Sequence, residues 1–294
     1  MERYKSMNSS VETIPWTVIT PSGTSVSTVL PRVVHTFSEF VLVDIYSGDS
    51  DPVYWAVAGA RLKWGDEWAT RFSVAMLAYY HTGTALRAAE HTGWAFWDYL
   101  AEIYPTNPRG SERRHFRGQA GLNCLKSMRA WSPHPENFFV QFPNTYFGVK
   151  DLCERKLVGF GPYFQLKICD YMDRCLDYPI KNYAGLGRNL PTEPAKAAQL
   201  MYPTLNVEAA FNQAGLDALT IPPILAAPHF DRPIGPAEIE TSLCGWKTTK
   251  FKGNWFGADV EDKRLAMSGY GGKADEMLDM FPPLVKKGTF TCNL

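Results

Sequence analysis

Lys156 to Arg174 read "KLVGFGPYFQLKICDYMDR", and this stretch decides the fold class. Ile168, Cys169, Met172, Cys175 and Leu176 recur at i, i+1, i+4, i+7 and i+8, which is one apolar stripe of an amphipathic helix. Pro162 suits the first helical position, where its missing N–H costs nothing. The preceding "VKDLCERK" supplies a second helix, so the stretch reads as two helices joined by a tight L-x-G-x-G turn. Such a turn presents backbone N–H groups at the start of the second helix, where they and the helix dipole attract an anion. Gly159 and Gly161 matter twice there. Glycine tolerates positive φ, and it lets a phosphate approach with no Cβ in the way. A Gly-x-Gly-Pro connection with no ligand at all is the plain alternative.

Outward from this stretch the pattern stays helical. "DPVYWAVAGARLKW" offers Asp51 as N-cap and Pro52 at the first helical position. "GDEWATRFSVAMLAYYHTGTALRAAEH" reads as two helices meeting near His81–Thr84, and "GWAFWDYLAEIY" as another, stopped by the Pro105–Pro108 loop. A helix is expected from about Ser111, with Glu112 in its first turn. Short helices are expected in "PENFFVQF" and "TYFGVKDLCERKL", a loop-rich segment over 183–203, and helices in "NVEAAFNQAGLDAL", "GPAEIETSLCGWKTTKF" and "ADEMLDMF". Residues 1–30 read as a tail with one or two short strands. "FVLVDIY", Phe40 to Tyr46, is too short to assign to strand or helix. The expectation is a mostly α fold with minor N-terminal strands: an extension over 1–50 and a helical domain over 51–294.

Of the 294 residues 45% are hydrophobic and 14% aromatic, enough for a large core. The 30 basic and 30 acidic side chains cancel, so any basic site must be local. The six cysteines include no C-x-x-C pair and no Cys/His set with zinc or iron–sulfur spacing, which suggests reduced thiols in a cytoplasm. No signal-peptide run and no apolar stretch of about 18 residues is present, so no membrane span is expected. The absence of Walker, Rossmann and HExxH patterns argues against ATP, NAD and a zinc-protease mechanism.

"LVGFGP" followed by its helix resembles the helix-hairpin-helix motif of DNA glycosylase-like proteins, in which the hairpin grips the backbone and a base is flipped into a pocket. Two departures stand out. The lyase-type members carry a lysine two residues after the second hairpin glycine, where this chain has Tyr163. They carry an aspartate about twenty residues beyond it, where this chain has Ile180, Lys181 and Asn182, with Asp177 about a turn early. Four blocks in order, "FSVAMLAYYHTGTALRAAE", "RGSERRHFRG", "GFGPYFQLKICDYMDR" and "IETSLCGWKTTKFKG", are similar to the amino acid:DNA transferases of bacteriophages, also called glutamyl/putrescinyl-thymine pyrophosphorylases. The likeness runs from about Asp51 to Asp262. It implies a helical, glycosylase-like fold acting on double-stranded phage DNA in the cytoplasm of the infected bacterial host. There, an amino acid or polyamine displaces pyrophosphate from activated 5-hydroxymethyluracil and leaves a hypermodified thymine. On family grounds glycine is the first amine to try.

Three tasks follow from that chemistry. DNA must be gripped and the base exposed, which points to Lys156, Gly159, Phe160, Gly161 and Tyr163 at the hairpin, and to Lys250 and Lys252 around Trp246. Phe160 and Tyr163 would wedge or stack there, or simply serve as core aromatics. The departing pyrophosphate must be stabilised, which points to Arg109, Arg113, Arg114 and Arg117, with Lys247. On a helix Arg113 and Arg117 would share a face, and guanidinium forks match phosphate oxygens; a general DNA-facing basic surface is the alternative. The amine must be neutral when it attacks, so a base is needed. Asp170 is the first choice, although it could merely pair with Arg174; Glu240 is second and His81 third. Arg87 could bind an amino-acid carboxylate. No cofactor is required; a divalent cation could escort pyrophosphate, and no metal ligand set is assigned. A DNA N-glycosylase and a non-catalytic DNA-binding accessory protein are the rival readings.

Overall fold

The computed structural model describes residues 12–113, 116–219 and 223–293. Two strands come first, β1 (Thr13–Ile19) and β2 (Ser25–Pro31), an antiparallel hairpin that pairs Thr13 with Pro31 and Ile19 with Ser25. A two-residue strand β3 (Val33–Val34) pairs in parallel with β4 (Thr291–Cys292), which ties the two ends of the described chain together. The elements between, among the described residues, are helices and helical turns joined by loops, so the fold is mostly α.

"FVLVDIY" is helix: α1 spans Phe37–Tyr46. Local chemistry decides it. Thr36 Oγ1 accepts from the Glu39 N–H at 3.2 Å, while Glu39 Oε2 accepts from the Thr36 N–H at 3.0 Å, a reciprocal cap that starts a helix rather than a strand. Helices α2 (Val53–Trp64) and α3 (Asp66–Tyr79) follow, and α3 is buried along nearly its whole length. The predicted break near His81 is real. Tyr80 turns into the left-handed region (φ 51), and His81 Nδ1 accepts from the Thr84 N–H at 3.1 Å to cap α4 (Thr82–Ala89). Helix α5 (Gly93–Ile103) completes this half.

The helix expected from Ser111 is a single 3₁₀ turn, Ser111–Arg113, and α6 begins only at Gly118 and runs to Trp131. Arg117 precedes it in an extended conformation (φ −138), so Arg113 and Arg117 do not share a helical face. Two 3₁₀ turns, 135–137 and 139–141, lead into α7 (Tyr146–Lys156), the turn 157–161, and α8 (Pro162–Asp170), which continues as one π-helical turn, Tyr171–Cys175. All five stripe residues of this segment are buried. The segment expected to be loop-rich holds a helix, α9 (Thr192–Met201). Then come α10 (Val207–Ala218), capped by Asn206, and α11 (Pro236–Lys252). Two short helices, α12 (Ala258–Met267) and α13 (Lys273–Leu278), close the chain.

Helix α12 has no counterpart in the sequence reading, because in "ADVEDKRLAM" the charged run Glu261–Arg264 breaks any apolar stripe. Packing holds it instead. A Cβ on Gly83 of α4 would lie 2.6 Å from the Ala266 carbonyl oxygen and 2.4 Å from the Tyr270 ring, so only glycine admits α12 at this distance. Helix α1, within the first fifty residues, packs on α10 and α11.

Candidate active site and DNA interface

Between these elements lies a cleft of about 1040 Å³. One wall is the α1–α2 loop with α11 and α12. The other is the end of α3, the 110–113 turn and the 158–159 turn, and α8 lies between them. Asp51 and Tyr80, both lining the cleft, hold left-handed backbone (φ 57 and 51), which is uncommon for residues with a side chain.

The floor is a buried charge network. Asp51 is not the α2 cap; α2 begins after Pro52, and the Asp51 carboxylate accepts from Lys167 Nζ at 2.6 Å. Lys167 also donates to the Tyr54 hydroxyl (3.0 Å) and to Asp170 Oδ2 (3.4 Å), and Tyr54 donates to the same oxygen at 2.9 Å. Burial opposes the charge on Lys167, but Asp51, Asp170 and Glu240 outweigh it and hold the ammonium above its usual range. Burial likewise works against the Asp51 carboxylate, and Lys167 and Arg174 outweigh it. This pair is therefore ionised, and Lys167 is a fixed cation rather than a nucleophile.

Asp170 and Glu240 fare differently. Asp170 is wholly buried behind Lys167 and Tyr54 and does not line the cleft; burial raises its carboxyl to about 6. Its charged partner in hydrogen-bond range is Lys167, not the Arg174 that sequence spacing suggested, and Arg174 turns to Glu238 at 3.8 Å. Glu240 does line the cleft. It is 2% exposed, and its Oε1 has no hydrogen-bond partner among the described residues. Burial, reinforced by Asp170 and Asp51 and opposed by Lys167, pushes its carboxyl up to about 8. Of the expected bases, Glu240 and His81 reach the cleft and Asp170 does not. The His81 ring, held by its cap to α4, is lowered by burial and then by Lys263.

The hairpin turn is at the surface. Lys156, Val158, Gly159 and Gly161 are exposed, Gly159 has φ 78, and a Cβ on Gly161 would meet nothing within 4 Å. The amides of Gly159, Phe160 and Gly161 have no acceptor among the described residues. Phe160 itself is buried, 4.9 Å from the Arg113 guanidinium, so it is a core aromatic and not a wedge. Tyr163 is half-buried at the cleft, edge-on to Tyr80.

The arginines divide. Arg113 is buried and its fork is already filled. Nε donates to the Leu77 carbonyl at 2.7 Å, Nη2 donates to the same oxygen, and Nη1 donates to the Gly159 carbonyl at 3.0 Å, with the Phe164 ring 3.4 Å away. Burial lowers its pKa to about 10. It braces the hairpin turn against α3 instead of offering a free clamp. Arg109 donates to the Tyr104 carbonyl and stacks on that ring at 4.7 Å, while its Nε has no partner among the described residues. Arg117 is exposed. Arg109, Arg113 and Arg117 line a recess of about 260 Å³ that shares Gly110, Ser111 and Arg113 with the cleft, and no described carboxylate lines it. Arg114 lies outside the described residues.

Four further expected site residues, Arg87, Lys247, Lys250 and Lys252, do not line the cleft. Arg87 is exposed with its guanidinium 4.5 Å from the Tyr270 ring. Lys247 pairs with Glu193. Lys250 lies 5.0 Å from the ring of Trp246, which is buried and closed to base stacking; Lys252 is exposed beside it. Sequence reading missed Asp51 and Lys167 as site residues, and Asp259, Asp262 and Lys263 with the whole of α12. Lys167 lies one helical turn after Tyr163, and that spacing was the one available signal.

A model of the family described as amino acid:DNA transferase matches residues 41–254, nearly three-quarters of the chain. The chain belongs to the amino acid:DNA transferase family. Among its relatives are a putrescinyltransferase of Delftia phage PhiW-14, 30% identical over 261 residues (82% of this chain and 81% of that one), and a glycinyltransferase of Pseudomonas phage PaMx11, 27% identical over 235 residues (68% and 79%). The protein is thus a DNA-modifying transferase of bacteriophage type, joining an amino acid or amine to DNA. Among the described residues no helix is long and apolar enough to cross a membrane. The matched segment contains Asp51, Lys167 and Glu240 but stops before α12, so the α12 part of one wall lies beyond it.

Proposed function

We propose that this transferase joins an amino acid or amine to 5-(pyrophosphoryloxymethyl)uracil in double-stranded phage DNA and releases pyrophosphate. The observation that carries the reading is Glu240: a buried carboxyl, unpartnered at one oxygen, in a cleft beside an exposed glycine turn. The turn's amides, with Lys156, grip the DNA backbone, and the target base is extruded into the cleft at a cost of about a few kcal/mol. The amine nitrogen attacks the exocyclic methylene, the C–O bond to pyrophosphate breaks, and pyrophosphate leaves with the electron pair. Glu240, once deprotonated, takes the proton from the attacking nitrogen. Arg109 and Arg117, in the recess without carboxylates, receive the charge that builds on pyrophosphate. Lys167, held by Asp51 and Asp170, fixes the potential at the floor.

The test is mass spectrometry of nucleosides from activated DNA incubated with the protein and a panel of amines that starts with glycine and putrescine. A mass gain on the modified base together with pyrophosphate release is the expected result. Neither product with any amine would refute the reading, and abasic sites revealed by alkaline cleavage would replace it with base excision.

A further inference from the structure

If the cleft works by amine transfer, it must also hold the part of the amine that does not react. Its walls differ in charge. The side at 110–113 sets Glu112 beside Arg113 and opens on the recess with Arg109 and Arg117, whereas the wall of the α1–α2 loop, α11 and α12 carries Asp49, Glu240, Asp259 and Asp262. Asp44 also lines the cleft and accepts from the Ser242 hydroxyl at 2.9 Å. The cations lining the cleft are Lys167, engaged by Asp51, Lys196, paired with Glu193 at 3.4 Å, Arg113, whose fork is filled by backbone carbonyls, and Lys263, which lies 4.6 Å from the Tyr80 ring.

This wall is preset. Asp49 Oδ1 accepts from the Asp259 and Val260 N–H groups at 2.9 and 3.3 Å, which fastens the loop to the start of α12. Burial raises both Asp49 and Asp259 above the usual carboxylate range, and neighbouring aspartates add to it. Two further atoms point to a ligand independently of charge. Ser50 Oγ and Glu240 Oε1 belong to side chains 2% exposed, line the cleft, and have no hydrogen-bond partner among the described residues. Buried polar atoms in native proteins are normally partnered; Ser50 Oγ can accept from an N–H donor, and Glu240 Oε1 does so once the carboxyl is ionised.

An α-amino acid would bring its own carboxylate against this wall and be repelled. An ammonium group brings three donors and a compensating charge. We propose that the wall seats the non-reacting ammonium of an aliphatic α,ω-diamine, so that the amine used by this transferase is a diamine or longer polyamine and not an α-amino acid. The inference rests on the amine-transfer reading and reverses the order in which glycine came first. In the step, one nitrogen of the diamine enters neutral, attacks the methylene and loses its proton to Glu240 as pyrophosphate departs. The other nitrogen stays protonated at Asp259 and Asp262.

The probes are putrescine, 1-butylamine, which lacks the second ammonium, and glycine. Titrated calorimetrically into the full chain, putrescine should bind at least about tenfold more tightly than 1-butylamine or glycine, since hydrogen bonds to charged groups are worth this much or more. The double variant Asp259→Asn with Asp262→Asn should bring the putrescine-to-butylamine ratio down towards one. Circular dichroism checks that the variant folds, and Asp262→Asn alone serves if the pair does not. In competition for activated DNA the transferred products should rank in the same order. Equal binding of putrescine and 1-butylamine, or tighter binding of glycine, overturns the subsite. Transfer of none of the amines strikes instead at the chemistry it rests on, while the calorimetric ranking decides the subsite by itself.

Discussion

Replacing Glu240 by Gln isolates the proton that the mechanism needs. The side chain keeps its shape and loses only its titration. Moving a buried carboxyl from 4.5 to about 8 corresponds to about 5 kcal/mol between its two protonation states. The sign follows from linkage. The folded chain keeps a proton that the unfolded chain releases, so this contribution to stability is full below pH 4.5, declines as pH rises and is gone above about 8. Denaturant unfolding of both proteins from pH 5 to 8 should therefore show wild type losing about 3 kcal/mol relative to Glu240→Gln. Catalysis runs the other way. At pH 7 only about a tenth of Glu240 is ionised, so the ratio of wild-type to variant kcat/KM should rise nearly tenfold per pH unit and level off near 8. At that plateau the variant should be slower by about 10²–10⁴. Taking the ratio removes the titration of the free amine, which both enzymes share. A ratio independent of pH, or a variant as fast as wild type, would show that Glu240 is not the base.

Arg113→Ala should unfold at lower denaturant, by about 3 kcal/mol, because it strips buried donors from the Leu77 and Gly159 carbonyls. Arg117→Ala should stay within about 0.5 kcal/mol of wild type in the same measurement while slowing pyrophosphate release; the reverse pattern would exchange their roles. Gly83→Ala should cost about 1–3 kcal/mol, since its Cβ would press on the Ala266 carbonyl and the Tyr270 ring. An unchanged melting temperature would mean that α12 is not held there by close contact.

Sequence alone determined a good deal here. Helical periodicity with proline and glycine at the right ends gave α7, α8 and the turn between them, and the break at His81, because these depend on neighbours in the chain. The order of four motif blocks pointed to the family. Sequence could not decide which charges face one another. Arg113 looked like a clamp because its neighbours are basic, yet the fold buries it under Leu77 and Gly159. Asp170 looked like the base because it sits on the hairpin helix, yet Lys167 and Tyr54 screen it. Asp51, Lys167 and Glu240 are separated by 116 and 73 positions, and α12 carries no stripe that would announce its place in the wall. A carboxyl's proton affinity depends on burial and on charges brought near by packing, and those are properties of the folded chain. The tertiary structure therefore decided which carboxylate can act as a base and which wall an amine must meet.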